Sequence, residues 1–429
     1  MTLTKKGYKP RLLDKQIARY LKVFGALSID GPKWSGKTWT SLNHANSVFY
    51  VGDPKNGFSN RQLAQLDPSA TLIGDTPHVV DEWQEVPQIW DAVRFSVDNS
   101  QKQGSYILTG SATPAENKIM HSGAGRIAHI TMRPMSLFES GDSQNRLSLF
   151  SILNNEPIPN FSSKLSIDDI IHLVIRGGWP NNIQIDKENA ALLPQSYLRA
   201  VLRKDISSID GVTRNQAKAQ ALIHSLARNN ASLVSNRTLS LDTALSSTNK
   251  NDSLSEQGIS DYLNVLKRLF ILEEIPAWSP EIRAKIRLRV SPKRMLVDPS
   301  LAAAALNADA EMLKSDLKTL GLLFEGLCLR DLQVYAQSFD ASLHHYLDNT
   351  GLEVDAILQL KGEDWAAFEI KLGSNQIDSA AKNLIRLNDK IVAAGNKPPR
   401  CLGVIVGIGA ISHIRQDGVS VIPLDCLTP

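Results

Sequence analysis

Eight consecutive residues near the amino end have the spacing of a phosphate-binding loop. They match G-x-x-x-x-G-K-[ST] and are Gly31, Pro32, Lys33, Trp34, Ser35, Gly36, Lys37 and Thr38. The glycines allow backbone N–H groups to curl around phosphate oxygens. In this pattern Lys37 reaches the β- and γ-phosphates, and the Thr38 hydroxyl ligates Mg²⁺. The spacing predicts a nucleotide site with Mg²⁺; a chance match in a glycine turn is the alternative.

An apolar run that ends in two carboxylates follows the loop. His78–Val80 is predicted to be a buried strand with Asp81 and Glu82 at its carboxyl end. Ligands of doubly wound sheets bind beyond the carboxyl ends of the strands. We therefore predict that Asp81 holds Mg²⁺, usually through water, and that Glu82 orients or deprotonates the attacking water. A solvated turn is the alternative for this pair taken alone.

A second constellation lies in the last third of the chain. Asp355 precedes Glu369 and Lys371 on two strand-like runs that form a predicted hairpin. Glu369 and Lys371 share a face because they are two residues apart. Asp355 and Glu369 could bind one Mg²⁺, Lys371 could orient a water for phosphodiester attack, and Glu325 on the preceding helix adds a carboxylate. This is the spacing of a PD-(D/E)xK nuclease core; a surface hairpin with a cross-strand salt bridge is the alternative.

Hydrophobic patterning predicts the elements that position these residues. In the first third, short apolar runs alternate with helical patterns, which predicts a parallel sheet covered on both faces. The predicted strands are Ala26–Ile29, Val48–Val51, His78–Val80, Tyr106–Leu108 and Ile127–Met132. In the last third, a predicted helix precedes further strands, which indicates a separate α/β domain. These elements are Leu320–Ala336, Leu343–Leu347, Glu353–Gln359, Trp365–Ile370 and Leu402–Val406.

The middle of the chain combines predicted helices with a hairpin. The helices are Asn215–Asn229, Thr238–Leu245 and Ser255–Leu269, and the strands are Phe270–Ile275 and Ile286–Val290. Helices followed by two strands are typical of a winged helix. The segment Glu281–Arg294 is basic, which suggests a wing that contacts phosphate backbones. A solvated strand face is the alternative.

Composition excludes several classes of protein. Of the 429 residues, 42% are hydrophobic and 21% are charged, as is usual for soluble globular chains. No apolar run reaches the about 18 residues of a membrane span, and the amino end lacks the apolar core of a signal peptide. We therefore expect a cytoplasmic protein with no membrane partner. The three cysteines are too few for a disulfide framework, and the net charge of +3 neither requires nor excludes nucleic acid.

These motifs together resemble a widespread prokaryotic family. Its members are predicted AAA-type ATPases fused to a C-terminal domain of unknown function that is similar to PD-(D/E)xK nucleases. The matching stretches are Gly31–Thr38, Val80–Pro87, Ile107–Ser111, Arg133–Leu137, Gly177–Pro180 and Gly351–Lys371. The resemblance implies an α/β fold with an AAA-like P-loop sheet, a helical and winged-helix-like middle, and a restriction-endonuclease-like α/β domain.

The resemblance also implies boundaries and further roles. The regions would be the ATPase domain 1–139, a helical linker or lid 140–210, a winged-helix-like domain 211–300 and a nuclease-like domain 301–429. Thr109 or Ser111 resembles the sensor-1 residue that watches the γ-phosphate. Arg126 resembles an arginine finger, in cis or from a neighbouring subunit of a homo-oligomer; a structural ion pair is its alternative. Trp34 and Ser35 depart from the smaller or amide side chains that are usual in the loop.

The leading hypothesis is a Mg²⁺-dependent ATPase that binds and hydrolyses ATP. Its nucleotide state would control the C-terminal nuclease-like module, which would engage DNA or RNA. The alternative is a nucleotide-controlled interaction switch whose C-terminal fold is catalytically inactive and binds DNA or a protein. A phosphate-loop enzyme that acts on a small molecule is a third option, but nothing in the sequence indicates a small acceptor site.

Overall fold

Packing divides the chain into two compact units. The computed structural model describes residues 3–114, 119–209, 211–245, 254–281 and 290–429. Unit 1 comprises Met1–Pro134, Arg203–Arg214 and Asn264–Ile271, and unit 2 comprises Met135–Leu202, Asn215–Leu263 and Leu272–Pro429. Each unit is therefore assembled from three separate stretches. The four sequence-based regions stay a prediction.

Helices occur throughout both units. Those of the first half are α1 (Leu13–Tyr20), α2 (Lys37–Asn43), α3 (Lys55–Leu66), α4 (Gln88–Ser100), α5 (Leu137–Ser140), α6 (Leu149–Leu153), α7 (Ile167–Arg176), α8 (Leu192–Ala200) and α9 (Ile206–Ser208). Those of the second half are α10 (Gln216–Arg228), α11 (Asn236–Leu245), α12 (Glu256–Arg268), α13 (Pro299–Ala305), α14 (Ala310–Ser315), α15 (Leu317–Ser338) and α16 (Ile377–Ala393). No helix of the described residues is both long and apolar enough to cross a membrane.

The strands form two main sheets and two short pairs. Strands of the first half are β1 (Ala26–Asp30), β2 (Ser47–Tyr50), β3 (His78–Asp81), β4 (Tyr106–Gly110), β5 (Ile127–Thr131) and β6 (Leu147–Ser148). Strands of the second half are β7 (Leu272–Ile275), β8 (Lys293–Leu296), β9 (Ser342–Leu347), β10 (Glu353–Gln359), β11 (Trp365–Gly373), β12 (Cys401–Ile408), β13 (His413–Ile414), β14 (Ser420–Pro423) and β15 (Leu427–Thr428).

Unit 1 is built on a five-stranded parallel sheet, which confirms the predicted fold class. The strand order is β2-β3-β4-β1-β5, and each neighbouring pair is parallel. All five strands occur where apolar runs predicted them, within two residues at each end. Because the strands are parallel, their carboxyl ends meet at one edge, where Asp81 of β3 pairs in register with Thr109 of β4. That edge carries the candidate residues.

The sheet of unit 1 is covered by side chains on both faces. Successive residues of a strand point to opposite faces, so β1 contributes to two cores. Leu27 and Ile29 pack with Ile17 of α1 on one face. Ala26 packs with Val93 and other residues of α4 on the other face. Burial of both faces explains why these strands are continuous apolar runs rather than alternating ones.

Unit 2 contains a mixed six-stranded sheet in the order β13-β14-β12-β11-β10-β9. β9, β10 and β11 are antiparallel neighbours, whereas β12 is parallel to both β11 and β14. α16 packs through Leu384 and Leu387 against Val354, Ile357 and Val404 of the sheet. The predicted hairpin of Glu353–Gln359 and Trp365–Ile370 is confirmed as the pair β10 and β11.

The hairpin of the middle region differs from the prediction. β7 pairs with β8, so Leu272 lies opposite Leu296 and Ile275 lies opposite Lys293. The strand predicted at 286–290 lies almost wholly outside the described residues. Lys293 and Arg294, expected on an exposed basic wing, are instead buried, with 1% and 8% of their surfaces exposed. The winged-helix assignment itself stays a prediction.

Candidate nucleotide site and carboxylate cluster

The loop 31–38 has the backbone geometry that its glycines predict. Gly36 has φ +101° and Gly31 has φ +156°. A Cβ on Gly31 would lie 2.1 Å from the Met132 carbonyl oxygen, so a side chain there would push the loop away from the end of β5. Trp34 also has a positive φ of +64°, which is rare for a bulky residue, and its side chain is about half exposed.

Lys37 is fixed across the loop by the loop's own carbonyl groups. Its Nζ donates hydrogen bonds to Gly31 O at 2.9 Å and to Pro32 O at 2.7 Å. Burial lowers the pKa of Lys37 to about 8, although the charges of Glu82 and Asp81 oppose this shift. The ammonium group is thus held in place before a ligand arrives, which favours phosphate binding without rearrangement.

Asp81 links the loop to the end of β4. Its Oδ1 accepts hydrogen bonds from Thr38 Oγ1 at 2.8 Å and from Thr109 Oγ1 at 2.7 Å. Burial raises the pKa of Asp81 above its usual value, while the bonds from Thr109 and Thr38 act in the opposite direction. A hydroxyl and a carboxylate are hard oxygen donors, so Thr38 and Asp81 are suitable to hold Mg²⁺.

Glu82 points toward the end of β4 as well. Its Oε2 accepts a hydrogen bond from Ser111 Oγ at 2.9 Å and another from the Gln84 side-chain amide. Its own backbone N–H donates to Thr109 Oγ1 at 3.1 Å. Thr109 therefore contacts the Asp81 carboxylate and the Glu82 backbone, and Ser111 contacts the Glu82 carboxylate. The sensor role of Thr109 or Ser111 stays a prediction. Sequence reasoning missed Gln84, although its position two residues after Glu82 was a usable signal.

Arg11 is a buried residue of the site that sequence reasoning missed. Its guanidinium donates to Ser35 O in the loop and to Arg133 O beyond β5, both at 2.8 Å. It thereby ties the loop to the strand next to β1. Arg11 lies 20 residues before the loop begins, and no spacing rule connects the two.

We expect Arg11→Ala to destabilise unit 1 and to weaken nucleotide binding. The substitution leaves the Ser35 and Arg133 carbonyls without this donor, which costs about 2–3 kcal/mol in the free energy of unfolding. Denaturant unfolding and nucleotide titration measure the two effects. Arg19→Ala, at an exposed position of α1, is the matched control and should change stability by less than about 0.5 kcal/mol. Equal stability of both variants would contradict the bridging role.

Lys33 forms an ion pair instead of lying free in solvent. Its Nζ lies 2.7 Å from Asp205 Oδ1, which belongs to a π-helical turn, Val201–Asp205. Asp205 lies in the stretch Arg203–Arg214 of unit 1, whose chain neighbours on both sides belong to unit 2. A residue of the loop 31–38 is therefore paired with the stretch 203–214, which connects two stretches of unit 2 in the sequence.

Arg126 is not brought to the nucleotide loop of its own chain. It directly precedes Ile127, which pairs with Ala26 at the start of β1, whereas the loop follows the opposite end of that strand. The five-residue strand separates them by about 13 Å. Arg126 Nε instead donates to Asp98 at 2.7 Å, the ion pair expected as the alternative. A finger acting in cis is therefore wrong for this conformation, and a finger acting in trans stays a prediction.

The residues of the second constellation lie together, joined by a cross-strand ion pair of the kind expected as the alternative, and their nuclease role stays a prediction. Lys371 Nζ lies 3.0 Å from Asp355 Oδ2 and 2.6 Å from Glu369 Oε2. The backbone N–H of Ile370 donates to Asp355 Oδ2 at 2.8 Å, which fixes the carboxylate against β11. Glu325, on α15, also faces the group, because its charge and that of Asp355 act on each other.

Two further residues of this cluster were missed. Lys293 Nζ lies 2.6 Å from Glu325 Oε1 and 3.7 Å from Asp355 Oδ1. Asn383, on α16, donates to Glu369 Oε1 at 2.5 Å. Lys293 belongs to the basic segment Glu281–Arg294, for which an exposed wing and a solvated strand face were the two predictions. Only tertiary contacts show that it is buried among acids.

Burial, together with the charges of neighbouring groups, shifts the pKa values of the acids in this cluster. Burial, together with the charge of Asp355, raises the pKa of Glu325 to about 8 and that of Glu369 to about 7. The pKa of Asp355 lies below its usual value. Burial acts to raise this pKa, but the positive charges of Lys293 and Lys371 lower it by more. Among the described residues, no group of three or more His, Cys, Asp or Glu side chains is arranged to hold a metal ion. The predicted Mg²⁺ ligation by Asp355 and Glu369 thus finds no support in the geometry.

Comparison with known families agrees with the geometry of the first site. Residues 24–140 match the family described as "AAA domain". Residues 167–312 and 320–427 match two families, each described as a domain of unknown function (DUF8612 and DUF4143). With the parallel sheet and the loop, the first match supports an AAA-type P-loop fold for residues 24–140. The nuclease resemblance of the last third is not supported by these matches.

Relatives of this chain share limited identity with it. The "Uncharacterized protein Rv2008c" of Mycobacterium tuberculosis is 24% identical over 349 residues, which are 80% of this chain and 69% of the relative. The "Uncharacterized protein Mb2031c" of Mycobacterium bovis gives the same values. Among solved structures, the Walker-type ATPase PABY2304 of Pyrococcus abyssi is 11% identical, with a TM-score of 0.41, over 71% of this chain and 97% of that chain.

Proposed function

We propose that this chain is a Mg²⁺-dependent ATPase. The observation that supports it is the convergence of Lys37, Thr38, Asp81 and Glu82 at the carboxyl edge of the sheet in unit 1. Three of them, Lys37, Thr38 and Asp81, are already held by hydrogen bonds at this edge. Such preorganisation is the main source of catalysis in phosphoryl transfer, where positioning and charge stabilisation dominate.

Each side chain has a distinct task in this proposal. Lys37 neutralises charge on the β- and γ-phosphates, and Glu82 orients or deprotonates the attacking water. Thr38 and Asp81 would hold Mg²⁺, which supplies charge neutralisation of the phosphates. Thr109 couples the two acids, because its hydroxyl donates to Asp81 and accepts from the backbone N–H of Glu82.

Titration of the full-length chain with ATP, with and without Mg²⁺, tests the proposal. We expect saturable binding in calorimetry, and release of inorganic phosphate only when Mg²⁺ is present. Absence of heat at high ATP concentration, with no stabilisation of the protein in thermal unfolding, would overturn it.

ATP binding is expected to weaken as pH rises through 8. The free protein holds Lys37 with a pKa of about 8. Below pH 8 the Lys37 ammonium is already charged. Above pH 8 the Lys37 amine must take up a proton when ATP binds, so each further pH unit raises the Kd for ATP by up to about tenfold. We expect Kd to increase about tenfold between pH 7 and pH 9. Lys37→Arg, which stays charged throughout, should bind with a nearly constant Kd over this range. A flat profile for the wild type would contradict the assignment.

We further propose that nucleotide state is relayed to the rest of the chain. The support is the ion pair between Lys33 of the loop and Asp205. Loss of the γ-phosphate changes the contacts of the loop, and switch segments commonly respond to such a change. The relay would act on the C-terminal module, and this module would engage DNA or RNA.

The interaction-switch alternative is favoured by one observation. Both lysines of the carboxylate cluster pair with its acids, and Lys293 occupies a buried position among them. Metal-dependent cleavage of a phosphodiester needs carboxylate side chains that are available to ligate the metal ion. A cleavage assay with Mg²⁺ or Mn²⁺ on the wild type, Asp355→Ala and Lys371→Ala discriminates the two. Cutting that both variants lose favours a nuclease, and no cutting favours the switch.

A further inference from the structure

Lys293 is a buried cationic side chain surrounded by acidic side chains. Only 1% of its surface is exposed. Its Nζ lies 2.6 Å from Glu325 Oε1, 3.6 Å from Glu353 Oε1 and 3.7 Å from Asp355 Oδ1. The carbonyl oxygen of Asp355 is a fourth neighbour, at 3.4 Å. Carboxylate and carbonyl oxygens are the ligands that hard divalent cations prefer.

Lys293 reaches the cluster from a separate element. Its strand β8 pairs with β7 and is not part of the six-stranded sheet that carries Asp355. Glu325 comes from α15, so the ammonium joins a hairpin, a helix and a sheet within unit 2. A buried lysine costs free energy unless acids surround it, and here three carboxylates do so.

A second ammonium completes the neutralisation. Lys371 contacts Asp355 Oδ2 and Glu369 Oε2, so the Asp355 carboxylate lies between two lysines, one near each oxygen. The remaining oxygen of Glu369 accepts from Asn383. The acids Glu325, Glu353, Asp355 and Glu369 outnumber the two lysines by two. Removal of Lys293 would therefore leave the mostly buried Glu325 and Asp355 side chains without the cation that lies between them.

We propose that the Lys293 ammonium replaces a divalent cation in this cluster. The wild-type module is then independent of metal at this position, and removal of the ammonium creates a divalent-cation site formed by Glu325, Asp355 and the Asp355 carbonyl. This inference does not depend on the proposed ATPase activity, because it concerns only unit 2.

Manganese titration of nucleotide-free, full-length protein tests the inference. All proteins carry Asp81→Asn, so that the P-loop site does not contribute. The free Mn²⁺ signal in electron paramagnetic resonance reports binding. We expect Lys293→Met to bind one Mn²⁺ per chain at least about tenfold more tightly than the parent, and the added substitution Glu325→Gln to abolish that gain. Lys390→Met is the matched control, since it removes a lysine from the partly exposed pair with Asp348 and should gain no site.

Folding of the variant is measured alongside binding. If Lys293→Met is unfolded without metal, Mn²⁺-dependent recovery of its circular dichroism supports the inference equally. A folded Lys293→Met protein that binds no Mn²⁺ overturns it. If neither Lys293→Met nor Lys293→Gln folds under any condition, Mn²⁺ binding to the parent, which is the Asp81→Asn protein with Lys293 intact, decides between the outcomes. One Mn²⁺ bound to the parent and lost in Glu325→Gln overturns the inference, and no such binding supports it.

Discussion

Glu82→Gln is expected to keep ATP binding and to lose most of the hydrolysis. The amide retains the size of the carboxylate and can still accept from Ser111 or Gln84, so the local structure should persist. It cannot take a proton from water, and loss of a general base costs about 10²–10⁴ in rate. Phosphate release under saturating Mg-ATP measures the turnover, and calorimetry measures the binding.

The control for this substitution is Glu85→Gln. Glu85 lies three residues away, is exposed and pairs with Arg61, so it offers the same chemical change outside the site. Its turnover should equal that of the wild type. Wild-type turnover in Glu82→Gln would remove Glu82 from the mechanism and would require another base at the edge of the sheet.

Lys37→Ala is expected to abolish ATP binding at ordinary concentrations. The substitution removes the buried ammonium that the loop carbonyls hold in place. Charge-assisted hydrogen bonds to phosphate are worth about 1.5–3 kcal/mol each, so the loss of two weakens binding at least about a hundredfold. Calorimetric titration measures this change, and circular dichroism checks that the variant is folded.

Lys55→Ala serves as the matched control for Lys37→Ala. The Lys55 side chain is 84% exposed and contacts only the neighbouring Asp53, at 3.9 Å, in the described structure. Its removal should leave the Kd for ATP unchanged. Comparable affinity of the Lys37→Ala and wild-type proteins would mean that the loop 31–38 does not bind the phosphates.

Elements built from local patterns could be predicted from the sequence. The strands of unit 1 follow from short apolar runs that are buried on both faces, and the P-loop follows from fixed spacing. The cluster of Asp355, Glu369 and Lys371 follows from the two-residue period of a strand and from the short connection between β10 and β11. In each case the interacting residues lie on one element or on adjacent ones.

Contacts between distant parts of the chain could not be predicted. Arg11 reaches Ser35 and Arg133, and Lys33 reaches Asp205, across separations that no local pattern encodes. The burial of Lys293 could not be predicted for a related reason. A lysine in a basic run is usually solvated, and the fold alone decides whether acids from a helix and a sheet surround it. The position of Arg126 could not be predicted, because motif order does not reveal at which end of a strand a residue lies.

The interleaving of the two units limits how the P-loop domain can be isolated. A fragment of residues 1–139 would lack Asp205, the partner of Lys33, and Arg268, whose carbonyl accepts from the Thr113 backbone N–H at 2.9 Å. Limited proteolysis at a single exposed peptide bond would therefore not release an intact nucleotide-binding unit. Exchange of this P-loop domain between proteins would require that the later stretches, 203–214 and 264–271, be transferred with it.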